Sequence, residues 1–297
     1  MAPRGAAALT DAGKGLIERP RLGPVWLACV AAFVAIVAFS LVAVEIVRSL
    51  YPDIPARALL EGLPGLLAGS IASSGALALT ALIASGGGTP SALRLVPGRE
   101  TGLTFVLVVV GMLALGQTLD SLTVLVGLGQ QGSIVMIRRA LEQAVGPELF
   151  LAVLVVGVLA GTAEEIFFRG YMQGRLVQRL PRGAAVFVTS LCFGVFHLDW
   201  LHGLLALILG LYLGWITELT GSALPAVVCH VVNNTVFTIL TASGGAVDGF
   251  AINLALGAAG ALVFVATLLC LRVAVATTAP AGGAWSVALR VWKRLRQ

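Results

Sequence analysis

Eight apolar runs constrain this chain more than any other feature: residues 24–47, 64–86, 103–128, 148–163, 184–198, 203–217, 223–242 and 250–276. In lipid a backbone must satisfy its own amides and carbonyls, and a helix needs roughly 20 apolar residues to cross the hydrocarbon core. Several runs meet that length. Composition agrees, since 58% of the 297 residues are hydrophobic and 11% are charged, against about 25% charged in soluble domains. The prediction is an all-α fold, a polytopic membrane helix bundle of about eight transmembrane helices. The runs 184–198 and 203–217 are short and predict a tight pair that does not fully cross. The first run is too long for a signal peptide and lacks a small-residue cleavage site, so it reads as a signal anchor. No internal repeat is present.

Charge gives the orientation. With eight spans both termini share a side. Arg4, Lys14, Arg19, Arg21, Arg94, Arg99, Arg169, Arg175, Arg179, Arg182, Arg272, Arg290, Lys293, Arg294 and Arg296 gather there, against Arg48, Arg57, Arg138 and Arg139 opposite. The positive-inside rule predicts both termini cytoplasmic. The tail "RVWKRLRQ" reads as a basic amphipathic end on the membrane surface. Topology thus accounts for the net charge of +5 better than nucleic acid does, as no clustered basic-aromatic surface stands behind it. Cys29, Cys192, Cys229 and Cys270 lie in apolar runs without CxxC spacing and read as small buried hydrophobes.

Against this background the ionisable residues stand out. "GTAEEIFFRG" places Glu164, Glu165 and Arg169 at the end of the fourth run, "CFGVFHLDW" holds His197, and "VVCHVVNNTVF" holds His230 with Asn233 and Asn234. Glu165 and Arg169 are i and i+4 on a helix, the favourable orientation for an ion pair. Glu164 is turned about 100° from its neighbour, away from Arg169. His230 and Asn234, also i and i+4, share a face. If the fourth helix continues past its apolar run, Glu164 lies about 16 Å from its cytoplasmic end, with His230 and His197 roughly 10 and 20 Å deep. Intramembrane ionisable residues normally face a protein interior or a wet cavity; one cavity lined by all of them is the economical arrangement. A carboxylate beside an imidazole can deprotonate water, and an imidazole with a carboxamide can meet a developing oxyanion. Hydrolysis of an amide requires both.

These residues resemble a known family. "EEIFFRG" is similar to the EExxxR motif of the CAAX-protease and bacteriocin-processing (CPBP) membrane proteins, the Rce1 type of prenyl-protein endopeptidase. "FGVFH" matches their FxxxH motif at Phe193 and His197, and "HVVNN" their HxxxN motif at His230 and Asn234, all in family order. The resemblance implies Glu164 as the water-activating base with His197 beside it, and His230 with Asn234 as the oxyanion site. Glu165, Arg169 and Phe193 fall to structural support. It divides the chain into a cytoplasmic N-terminal segment (1–23), accessory transmembrane helices (24–100), a CPBP-like catalytic core (105–245), a last transmembrane helix (250–276) and a basic cytoplasmic tail (277–297).

Each member alone has a plainer reading. Glu165–Arg169 is the kind of pair that supports structure, His197 suits an interhelical hydrogen bond, and Phe193 reads as packing against its own helix. Asn233 reads as a polar residue behind the site or facing lipid. Asp120 suits a cap or kink better than the cavity, and Asp199 with His202 a turn or interface pair. Glu164, His197 and His230 are also donors suited to zinc; no HExxH signature accompanies them and no metal is assigned, but glutamate-dependent and zinc-dependent hydrolysis both stay open, the metal-independent route slightly ahead. A proton-coupled transporter would bury similar residues, though without the expected inverted repeats. A non-catalytic scaffold or immunity protein of the same family is the other alternative. The expected substrate is a membrane-associated peptide or protein, with no nucleic-acid partner. The Ala/Gly-rich, Lys-poor composition reads as bacterial, which places the protein in the cell membrane as a multi-pass enzyme.

Overall fold

The computed structural model describes residues 22–142, 144–244, 247 and 249–278. The N-terminal segment before residue 22 and the basic tail lie outside them. The described residues form helices and connecting turns: α1 (Gly23–Leu50), α2 (Ala56–Glu61), α3 (Leu63–Ala84), α4 (Gly102–Leu125), α5 (Gly132–Leu141), α6 (Gly146–Leu176), α7 (Arg182–Val195), α8 (Trp200–Thr220), α9 (Leu224–Ala242) and α10 (Phe250–Thr278). All eight apolar runs are helical. Seven helices are long and apolar enough to cross a membrane, namely α1, α3, α4, α6, α8, α9 and α10.

The short pair divides unequally. At 14 residues, α7 is about 21 Å long and falls short of the roughly 30 Å hydrocarbon core. By contrast α8 has 21 residues and reaches crossing length, which corrects the expectation that both would stop short. The reason is that α8 extends at both ends into polar residues. Asp199 accepts from the His202 amide at its N-terminus, and Gly221, at φ +80°, closes its C-terminus. The fourth run likewise grows: α6 continues to Leu176, because Arg169 and Gln173 are buried against protein rather than lipid.

Helix α6 is the axis of the fold. On one side lies an apolar cluster built from Cys29, Leu77, Phe167, Phe168, Met172 and Phe193, contributed by α1, α3, α6 and α7. The second cluster, with Met112, Leu115, Tyr212, Leu213, Ile216 and Cys229, joins α4, α8 and α9. Large apolar side chains such as Leu27, Val34, Phe150, Leu262 and Val273 stay exposed on the outside of the bundle, as a lipid-facing surface requires. Small residues bring the inner helices together, as is usual within membranes. A Cβ on Gly157 would come 2.5 Å from Thr235 Oγ1, and one on Gly161 would come 3.2 Å from the Val231 amide. This glycine pair lets α9 lie directly against α6.

At the end of the bundle where α8 meets α9, residues 89–99 form a clasp. Arg94 donates to Glu218 Oε1 at 2.7 Å, and Gln173 Nε2 donates to the same oxygen at 2.9 Å. Arg182 Nε stands 3.7 Å from Glu218 Oε2. The Arg94 carbonyl accepts from the Ala223 amide at 2.9 Å. Leu93, 2% exposed, plugs into the first cluster, and its carbonyl packs so closely that a Cβ on Gly170 would meet it at 2.6 Å. The clasp therefore fixes α6, α7 and α8 relative to one another. Two smaller observations bear on single residues. Asp120 of α4 is ion-paired with Arg138 of α5, a contact that ties the two helices together. Cys29 and Cys229 are buried as expected, whereas Cys270 is exposed.

Candidate active site

The two glutamates sit in one α-helical turn, Gly161–Glu165, between two π-helical stretches of α6, Val153–Ala160 and Ile166–Gln173. Such stretches are rare and recur at functional sites. Glu165 is fully buried. Its Oε1 accepts from Arg169 at 2.7 Å and from His230 Nδ1 at 2.7 Å, while Oε2 has no hydrogen-bond partner among the described residues. Arg169, also fully buried, donates to the Gly210 carbonyl at 3.1 Å and lies 4.5 Å above the Phe193 ring. One turn on, Gln173 donates to the Gly214 carbonyl at 2.9 Å. Two residues spaced i,i+4 on α6 thus read two carbonyls spaced i,i+4 on α8. Glycines expose those carbonyls: a Cβ on Gly210 would stand 3.0 Å from the Arg169 guanidinium. The expected Glu165–Arg169 pair is present, and it also carries an imidazole.

Glu164 points elsewhere, as its helical phase predicts. Its side chain keeps 20% exposure, and its only charged partner within 4 Å among the described residues is His230 Nε2, at 3.6 Å. His230 therefore stands between the two carboxylates. A carboxylate only accepts, so Nδ1 carries a hydrogen toward Glu165 and Nε2 is the nitrogen left to face Glu164. In neutral His230, Nε2 offers a lone pair; it can donate only as imidazolium.

His197 follows the end of α7. Its Nδ1 is 2.8 Å from the Phe193 carbonyl, which again can only accept, so in the neutral ring Nε2 bears the free lone pair. No hydrogen bond or ion pair joins His197 to Glu164 among the described residues. Phe193 does not merely pack on its own helix. Buried at 3% exposure, it is edge-on to His197 at 5.0 Å and to His230 at 5.8 Å, and it packs on Phe168 at 5.1 Å. The ring spaces the two imidazoles and covers Arg169.

The asparagines differ as their phase implies. Asn234 reaches the Val156 carbonyl of the first π stretch at 3.4 Å and accepts from Asn233 at 3.4 Å. Asn233 presses on α4, where a Cβ on Gly116 would come 2.7 Å from Asn233 Oδ1. It is half-buried in protein rather than facing lipid. His202, assigned to a turn on sequence grounds, lies with its ring 4.3 Å from that of His197. The signal available was its being one of three histidines, five residues from another. A zinc site needs several donors converging on one point. Among the described residues no three His, Cys, Asp or Glu side chains do so. Glu164, His197 and His230 as arranged do not fit the ion, and no step is routed through a metal.

Residues 146–236 match the family model of the type II CAAX prenyl endopeptidase Rce1-like proteins. Over this segment, about a third of its length, the chain is similar to the Rce1-like family. The matched segment begins with α6 and ends within α9, so it contains Glu164, Glu165, Arg169, Phe193, His197, His230 and Asn234. The matched family is one of CAAX prenyl endopeptidases, and the seven helices long and apolar enough to cross a membrane fit a multi-pass membrane protein. No curated protein and no solved structure gives a significant match.

Proposed function

We propose that this Rce1-like protein hydrolyses a peptide bond of a membrane-associated protein or peptide, with Glu164 and His197 activating water and His230 and Asn234 receiving the oxyanion. The observation that carries the reading is the position of His230 between an engaged carboxylate and an open one. Glu165 is committed to Arg169 and to His230 Nδ1, which leaves Glu164 as the carboxylate available to a water. With both carboxylates ionised, an imidazolium His230 and Arg169 balance them, so the buried set carries no net formal charge. In that state His230 Nε2–H is a donor, and together with the Asn234 amide it can meet negative charge as it develops.

The sequence of steps follows. Glu164 takes a proton from water, and the hydroxide adds to the scissile carbonyl. The oxyanion forms against His230 and Asn234. Its collapse breaks the C–N bond as the leaving amine collects a proton, from Glu164 or through His197. The arginine-rich end of the bundle is placed in the cytoplasm by the positive-inside rule. The test is cleavage of a quenched peptide, with and without a prenyl group, by purified protein in lipid nanodiscs. Wild type should cleave, and Glu164→Gln should lose at least about 10³-fold in kcat, typical of removing a general base. Cleavage by Glu164→Gln at near wild-type rate would remove the assignment.

A further inference from the structure

The proposed chemistry leaves one imidazole idle. His202 lies in the first turn of α8, its ring 4.3 Å from the ring of His197 and inclined at 62°. It is held with care. Its Nδ1 is 3.1 Å from Ser133 Oγ, at the start of α5. The Ser133 amide donates to Asp199 Oδ2 at 3.2 Å, and Asp199 Oδ1 accepts from the His202 amide at 2.8 Å. One carboxylate thus fixes both partners of the serine–histidine contact.

The backbone accommodates this arrangement at two points. Leu198, between His197 and Asp199, adopts φ +53°, a left-handed conformation that β-carbons disfavour and that persists where surrounding contacts determine it. Gly132 adopts φ +73°, and a Cβ there would come 2.7 Å from Asp199 Oδ1. Both the α7–α8 turn and the approach to α5 are shaped so that Ser133 meets His202.

The consequence falls on His197. Its single hydrogen bond, Nδ1 to the Phe193 carbonyl, defines one tautomer but leaves the ring free to flip about χ2. Phe193 bounds one side, edge-on at 5.0 Å, and His202 bounds another. We propose that His202 is a positioning residue: anchored by Ser133, its ring holds His197 in the Nδ1–H tautomer with Nε2 open to the reaction. The proposal rests on the reading of His197 as part of the site, but it concerns ring geometry and is testable without substrate.

The chain has only three histidines, so 15N-histidine labelling in lipid bilayers resolves each ring by solid-state NMR. In wild type at neutral pH His197 should appear as one Nδ1–H tautomer. In His202→Ala it should split into mixed tautomers, and kcat on the quenched peptide should fall about tenfold with KM changed less than twofold. His202→Phe, which keeps a ring at that place but loses the Ser133 contact, should mix the tautomers less than His202→Ala and keep more of the turnover. Ser133→Ala, which leaves α8 intact, should mix the tautomers in the same direction but less, and it decides the matter if His202→Ala does not fold. An unaltered His197 signal in both His202→Ala and Ser133→Ala, or a Phe variant as defective as the Ala variant, overturns the proposal. If wild type cleaves no peptide while the tautomers respond as stated, the protease reading fails and the positioning role stands.

Discussion

The bundle holds two buried carboxylate centres, and they are finished differently. In the clasp, Glu218 meets Arg94 and Gln173 on Oε1 and Arg182 near Oε2. Its side chain is 12% exposed, and nothing around it is left to react. In the middle of α6, Glu165 meets Arg169 and His230 on Oε1 while its Oε2 has no partner among the described residues, and the adjacent Glu164 keeps 20% exposure with His230 Nε2, at 3.6 Å, as its one charged neighbour within 4 Å among those residues. Both centres join helices, and only one leaves a charged oxygen uncommitted. Burying an ionised group without full compensation costs several kcal/mol; the fold tolerates it in the second centre, where we propose the chemistry, and avoids it in the first.

The comparison can be broken most easily at Glu165. Glu165→Ala strips a buried arginine of its counter-charge, a loss of about 3–5 kcal/mol, and should sharply lower Tm in detergent. Glu164→Ala should move Tm little, because that side chain is partly exposed and makes no hydrogen bond among the described residues. Equal Tm values for the two variants would end the distinction between them.

A somewhat smaller effect is expected at the oxyanion. Asn234→Ala should reduce kcat by about 10²–10³ with little change in KM, as loss of one such donor does. Asn233→Ala should be mild, since Asn233 is turned against Gly116 of α4. Comparable kinetic damage from both substitutions would contradict the helical-face argument. The smallest effect belongs to the clasp. Glu218→Gln keeps the shape but replaces charge-assisted bonds with neutral ones, so stability should drop by about 1–2 kcal/mol while kcat per folded molecule stays at the wild-type value. A fall in kcat would show that the clasp is coupled to the chemistry.

Much of this was legible in the sequence because lipid makes the rules strict. Apolar length located eight of the ten helices described, missing the short α2 and α5, and the i,i+4 rule placed Arg169 on Glu165 and turned Glu164 away. Apolar length failed where polar residues are buried by protein: α6 runs on through Arg169 and Gln173, and α8 starts at a capped turn. Neither π stretch has a residue signature. The contacts of Phe193 and His202 were hidden for a related reason. Phe193 meets Arg169 and His230 on other helices, and His202 meets Ser133, 69 residues away. Periodicity is silent about contacts at that range.

The central claim is that two adjacent glutamates divide the work, and one paired measurement addresses it. Glu164→Gln and Glu165→Gln are isosteric changes one residue apart, so kcat and Tm for both, in the same bilayer preparation, isolate the role of each charge. The account predicts that Glu164→Gln loses turnover by orders of magnitude at nearly unchanged Tm, whereas Glu165→Gln loses Tm first and keeps measurable turnover below its melting point. The reverse pattern, with Glu165→Gln inactive but stable and Glu164→Gln active, would contradict it.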